Sequence, residues 1–184
     1  MLETLLMSCA PAIAPVTAMA IVAAESAGNP HAIGVVAGRL ERQPTTHAEA
    51  VATARALEQS GWNYSVGLAQ INRVNFARLG LDEASAFEPC RNLAAMQVIL
   101  GECFVRAGRS SAAGEQHALR QALSCYYSGN FRTGFDHGYV DRVLRAAHMQ
   151  GGSGGARRSW APDTSSATAS ARPGANHVEQ GVGR

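Results

Sequence analysis

Glu25 stands at the end of an apolar run, Val16 to Ala24 (VTAMAIVAA), in a chain where acids are scarce. Pro15 suits the first turn of a helix and Gly28-Asn29-Pro30 is a strong stop, so the run predicts a buried helix over 16–26. A carboxylate at that C-terminal end faces the negative pole of the helix dipole, and apolar neighbours withhold solvation. Both effects disfavour the charged form and raise the pKa. A general acid that must hold a proton near neutral pH needs such a setting. A solvated helix end can carry the same local sequence, so Glu25 has to be weighed by its company.

That company comes in a fixed order. Glu25-Ser26 is followed by Gly67-Leu68-Ala69-Gln70-Ile71-Asn72, then Tyr126-Tyr127-Ser128-Gly129-Asn130, then Gly138-Tyr139-Val140. The series resembles the soluble lytic transglycosylase domain, a lysozyme-like fold that cleaves peptidoglycan glycan strands. Cys9-Ala10-Pro11 and Phe87-Glu88-Pro89-Cys90-Arg91-Asn92-Leu93 resemble the variant of that domain attached to type IV secretion and conjugation systems. The resemblance runs from about residue 5 to residue 147. Each motif is weak alone; their order makes them specific.

Ordinary glycosidases place two carboxylates about the scissile bond, one as acid and one as nucleophile or base. Here a partner for Glu25 is hard to find. Glu49 sits at a capping position, Glu58 on a helix surface and Glu41 in a polar loop, and the aspartates are confined to 82, 136, 141 and 163. A one-acid scheme fits better, and the resemblance implies one. In lytic transglycosylases the Glu protonates the glycosidic oxygen, the N-acetyl group stabilises the cationic centre, and the sugar's own C6 hydroxyl attacks to give a 1,6-anhydro end. No cofactor is implied.

The resemblance assigns substrate-binding roles to Ser26, Gly67, Gln70, Asn72, Tyr126 and Tyr139. Gln70 and Asn72 carry neutral amides that both donate and accept, suited to sugar amides and hydroxyls. Gly67 would let backbone approach the glycan closely. Tyr126 would hydrogen-bond near Glu25 or orient the N-acetyl group, with Tyr139 a further aromatic of the pattern. Ser26 would contact the sugar or complete the helix end. Tyr127 departs from the family, which usually has Asn there, and that puts fine positioning in doubt. Two rivals stand beside the transglycosylase: a lysozyme-type muramidase hydrolase on the same fold, and a non-catalytic peptidoglycan-binding assembly factor.

Other classes come up short. A formal charge of +2 gives no footprint for nucleic acid, and no apolar run reaches the length of a membrane span. Histidines 31, 47, 117, 137, 148 and 177 lack metal-ligand spacing, so no metal is expected. No phosphate loop or nucleophile elbow is present.

The elements that must position these residues are mostly helical. The spacing predicts helices near 2–11, 16–26, 46–60, 73–79, 90–107, 114–128 and 138–149. Alternation over Ile33 to Val36, and at Trp62, Tyr64, Val66 and Leu68, predicts two short strands. The fold expected is a mainly α, lysozyme-like α+β domain over 1–149 with a small β element beside the cleft. From 150 to 184 the Gly/Ser/Ala-rich composition predicts a disordered tail. Met1 to Ala20 lacks a basic start, carries Glu3 and is broken by Pro11 and Pro15, so it reads as part of the domain and not as a targeting peptide.

Cys9, Cys90, Cys103 and Cys125 allow three full pairings. Cys90 and Cys103 share one predicted helix, where 13 residues rise roughly 20 Å, so they cannot join. That leaves 9–90 with 103–125, or 9–103 with 90–125. The resemblance favours the first, because Cys9 and Cys90 lie in the two family-like segments. Four free, buried thiols are the alternative; disulfides would imply an oxidising compartment, here the periplasm, where the wall substrate lies.

Overall fold

Pro15 and the left-handed Ala27 bracket the segment that matters most, and both act where local sequence said a helix should start and stop. The computed structural model describes residues 2–110 and 114–151. Helices α1 (Leu2–Cys9) and α2 (Pro15–Ser26) lead into strand β1 (Ile33–Val35) and helix α3 (His47–Gln59). Strands β2 (Tyr64–Val66) and β3 (Ile71–Asn72) follow, then α4 (Phe76–Leu79) and the long α5 (Pro89–Ser110). Helices α6 (Glu115–Ser128), α7 (Thr133–Asp136) and α8 (Tyr139–Gly151) complete the described chain. The architecture is the mainly helical one expected, with an antiparallel sheet in the order β1-β2-β3 and pairs Ile33↔Val66 and Ser65↔Asn72.

Local chemistry explains most boundaries. Thr46 caps α3 by accepting from the Glu49 N–H at 3.2 Å, while the Glu49 carboxylate returns to the N–H of Thr45 at 2.8 Å, one residue earlier than a standard capping box. The helix expected over 73–79 splits into a 3₁₀ turn at Arg73–Asn75 and α4, because Asn72 caps the turn by accepting from the Val74 N–H. Strand β3 and helix α7 have no counterpart among the expected elements; at two and four residues they are too short to carry a periodic signal. Helix α8 runs to Gly151, two residues past the helix end expected at 149, and the tail expected from 150 lies, from residue 152 on, outside the described residues. Among those residues no helix is long and apolar enough to cross a membrane.

The core wraps around α2, whose Ala18, Ala20, Ile21 and Val22 are fully buried. Helix α8 packs along α2, and α6 packs against α5. Cys9–Cys90 ties α1 to the start of α5, and Cys103–Cys125 ties α5 to α6, with Cα–Cα separations of 5.1 and 5.7 Å. This is the pairing the resemblance favoured.

Candidate active site

The C-terminal turn of α2 opens on a cleft of about 1140 Å³. Its wall includes Glu25, Gly34, Gln70, Asn72, Tyr126 and Tyr127. The β-sheet contributes Gly34, Ser65 and Ile71 to one part of it, and α5 and α6 contribute the Cys103–Cys125 region.

Glu25 is partly buried at the point where α2 meets the N-terminus of α8. Its Oε1 accepts a hydrogen bond of 2.6 Å from the Tyr139 hydroxyl. Burial raises its pKa to about 7, against the opposing pull of the Tyr139 hydrogen bond and the Arg142 charge. Arg142 lies 5.6 Å from the Tyr139 ring centroid and donates to the His137 carbonyl, so its charge is held near the acid without pairing to it as a salt bridge. The net result is an acid half-protonated near neutrality, reached mainly through desolvation.

The segment from Gly67 to Gln70 is clamped from four directions. Gly67 N–H donates to Ala32 O, Ser26 Oγ donates to Leu68 O at 2.8 Å, and Tyr126 OH donates to Ala69 O at 2.6 Å. From α5, Asn92 accepts from the Ala69 N–H and donates to Val66 O and Ala86 O. Asn92 is fully buried and its amide is fully used. It is the site-building residue that sequence reasoning missed. The available signal was a polar side chain in the buried face shared with Leu93, Met96 and Leu100, a place a fold keeps polar only when it is satisfied.

These contacts define what each candidate faces. Gly67 is buried at φ +77, and a Cβ there would meet the Asn92 side chain at 2.4 Å. Its close approach is therefore to Asn92 and not to open cleft. Ser26 binds the Leu68 carbonyl and accepts from the Gly28 N–H, which closes the helix end against the turn. Tyr126, expected near Glu25, gives its hydroxyl to Ala69; the hydrogen bond to Glu25 comes from Tyr139 instead. Tyr139 is 1% exposed and sits behind Glu25, away from the cleft wall.

Gln70 does line the cleft, at the strained φ of +49, a left-handed conformation that costs a non-glycine residue about 1–2 kcal/mol. Its Nε2 donates to both Ala32 O and Gly67 O, which leaves Oε1 beside Gly34 as its available acceptor. Asn72 also lines the cleft, with its amide engaged to Ser65 Oγ and the Val74 N–H. Both amides are thus held in place by neighbouring groups, and Gln70 has both its N–H groups committed to carbonyls.

The carboxylates weighed as partners stand elsewhere. Glu49 pairs with Arg42 and has its pKa lowered to about 2, first by that hydrogen bond; Glu58 pairs with Arg73; Glu41 is exposed. Among the described residues the cleft carboxylates are Glu25 and Glu102. Glu102, which no sequence motif singles out, receives Arg78 Nη1 on both oxygens at 3.0 Å.

Comparison with known proteins gives a consistent family. The model of the "Transglycosylase SLT domain" matches residues 6–147. Over 146 residues the chain is 49% identical to "Type IV secretion system protein virB1" of Brucella abortus biovar 1 and, to the same degree, of Brucella suis biovar 1, covering 77% of this chain and 61% of the relative. It is 38% identical over 143 residues to "Protein virB1" of Agrobacterium fabrum, covering 77% of this chain and 57% of that protein. The chain thus spans about three fifths of the length of the curated relatives it matches. No solved structure matches.

Proposed function

The chain belongs to the transglycosylase SLT domain family, and on that footing we propose that it is a peptidoglycan lytic transglycosylase which opens the wall for a type IV secretion or conjugation apparatus. The observation that carries the reading is Glu25: a partly buried acid with its pKa raised to about 7, in the wall of a cleft of about 1140 Å³. Protonated Glu25 gives its proton to the glycosidic oxygen between MurNAc and GlcNAc as that bond breaks. The substrate N-acetyl group stabilises the cationic C1. The carboxylate left behind then takes the proton of the C6 hydroxyl as its oxygen bonds C1, so the acid is regenerated and no water enters. A pKa near neutrality suits both halves of the cycle.

Gln70, Asn72 and the Tyr126 ring form the wall against which the sugars lie, and Tyr139 holds the Glu25 carboxyl in one orientation. Two disulfides and a wall substrate support a periplasmic site of action. The type IV secretion partner rests on the names of the relatives, type IV secretion system protein virB1 among them.

A second reading has one observation in its favour. Glu102 gives the same cleft a second carboxylate, as hydrolysis with an activated water would require. Mass analysis of fragments released from purified sacculi separates the two. Transglycosylation yields 1,6-anhydro-muramyl ends about 18 Da lighter than the reducing ends of hydrolysis, since no water is added. Predominantly reducing ends would replace this reading with the muramidase; no release at all would leave a wall-binding factor.

A further inference from the structure

Tyr127 stands where the family usually carries Asn, and the catalytic scheme gives it no task. Its ring stacks on that of Tyr139, with centroids 4.7 Å apart and planes inclined by 16°. The two partners differ sharply in exposure: Tyr127 is 41% exposed and lines the cleft, whereas Tyr139 is 1% exposed and lies behind it. The exposed ring therefore covers the buried one from the cleft side. Tyr139 in turn donates to Glu25. His137 meets the edge of Tyr127 at 6.0 Å and its Nδ1 lies 3.4 Å from the Tyr127 hydroxyl, so the covering ring is itself braced.

We propose that Tyr127 is a positioning residue for Glu25, acting through Tyr139: its ring lies flat on Tyr139 and shields the phenol side of the Glu25–Tyr139 pair from cleft water, while Glu25 itself stays open to the cleft. An Asn side chain has neither the area nor the apolar face to do this, so the aromatic residue changes how dry the acid is kept. The role deepens the assignment of Glu25 as the acid and rests on it.

The charged and titratable groups around Glu25 are Tyr139 and Arg142 from α8 and Tyr126 from α6. Arg78, Glu102 and Arg106 stand in the cleft wall, His137 backs Tyr127, and the acid of α1, Glu3, is exposed. Burial is the largest influence on Glu25 and raises its pKa. Admitting water must therefore lower it.

The test measures the Glu25 carboxyl directly, by its ¹³C resonance in the full-length protein labelled at glutamate, assigned by its loss in Glu25→Gln. In Tyr127→Ala and Tyr127→Asn the Glu25 pKa should fall by about one unit, while Tyr127→Phe, which keeps the ring, should hold it. The alkaline limb of kcat on sacculi should move down with it, with KM altered less than about twofold. An unmoved or raised Glu25 pKa in the ring-less variants overturns the proposal, as does a Phe variant that behaves like Ala, which would assign the effect to the hydroxyl on His137. A higher KM with the pKa unmoved would make Tyr127 a sugar platform and also overturn it. Failure of both ring-less variants to fold would make the ring a core residue and overturn it as well. If the pKa pattern holds but the wild type releases no wall fragments, the transglycosylase reading falls and this one stands.

Discussion

The hydroxyl of Tyr139 lies 2.6 Å from the carboxylate of Glu25, joining residues 114 positions apart. The bond links the last turn of α2 to the first residue of α8, the helix that packs along it, so one contact ties the acid's orientation to the packing of the core. Tyr139 pulls the Glu25 pKa down while burial pushes it up, and the balance near 7 depends on both.

Glu25→Gln should abolish the proposed catalysis, by at least about a hundredfold, and stabilise the fold at the same time. The folded pKa of about 7 lies above the ordinary 4.5, so the native state holds the proton more tightly than the unfolded chain does. That contribution is fully present below about pH 4.5 and is lost as pH rises through about 7, a loss of roughly 3 kcal/mol across the window. Urea unfolding should find the wild type weakening relative to the Gln variant across that window. Equal pH dependence in both proteins would show that Glu25 is not desolvated.

Tyr139→Phe removes the hydrogen bond that favours the charged carboxylate but keeps the ring under Tyr127. The Glu25 pKa should rise, and the alkaline limb of the pH–rate profile should shift upward, opposite to the effect expected of Tyr127→Ala. Stability should fall by about 1.5–3 kcal/mol where Glu25 is ionised, as for a hydrogen bond to a charged group. A downward shift would mean that the phenol's main effect on Glu25 is exclusion of water.

Asn92→Ala should be the most damaging single change outside the cleft. It removes the acceptor for the Ala69 N–H and a donor to the Val66 and Ala86 carbonyls in the interior, at about 1–3 kcal/mol for a buried group left unsatisfied. The clamped Gly67–Gln70 segment should loosen, so activity should fall further than the lost stability explains at temperatures where the variant is folded. Thermal melts and lysis rates measured together check this; a variant with normal activity would show that the segment holds without its α5 anchor.

The two disulfides should separate in their consequences. In the chain-entropy model, closing 81 residues at Cys9–Cys90 stabilises by about 4.5 kcal/mol and closing 22 at Cys103–Cys125 by about 3.4 kcal/mol. Paired Cys→Ser variants should therefore rank in that order by urea midpoint. Only loss of Cys103–Cys125, which lines the cleft, should also lower lysis at temperatures where the protein is folded. The reverse pattern of activity would place the site's sensitivity at α1.

Sequence by itself determined most of the elements and singled out Glu25 as the candidate acid. The apolar run before Glu25, the Pro15 start, the Gly28-Asn29-Pro30 stop and the Thr46 cap are signals confined to a few neighbouring residues, and local propensity acts on that scale. The order of motifs carried the family, and the match over residues 6–147 agrees with it. Tertiary structure decided the partners. Nothing local distinguishes Tyr139 from Tyr126 as the donor to Glu25, because the answer depends on how α8 packs along α2 and α6 against α5. Gly67 permits a left-handed turn from sequence alone, but the side chain that a Cβ there would meet, Asn92, comes from 25 residues away as the numbering runs. Tyr127 reads in sequence as a lost amide, and in the fold its ring covers a buried phenol. Spacing along the chain fixes what a residue can do; burial and long-range hydrogen bonds, which arise only when helices meet, fix what it is next to.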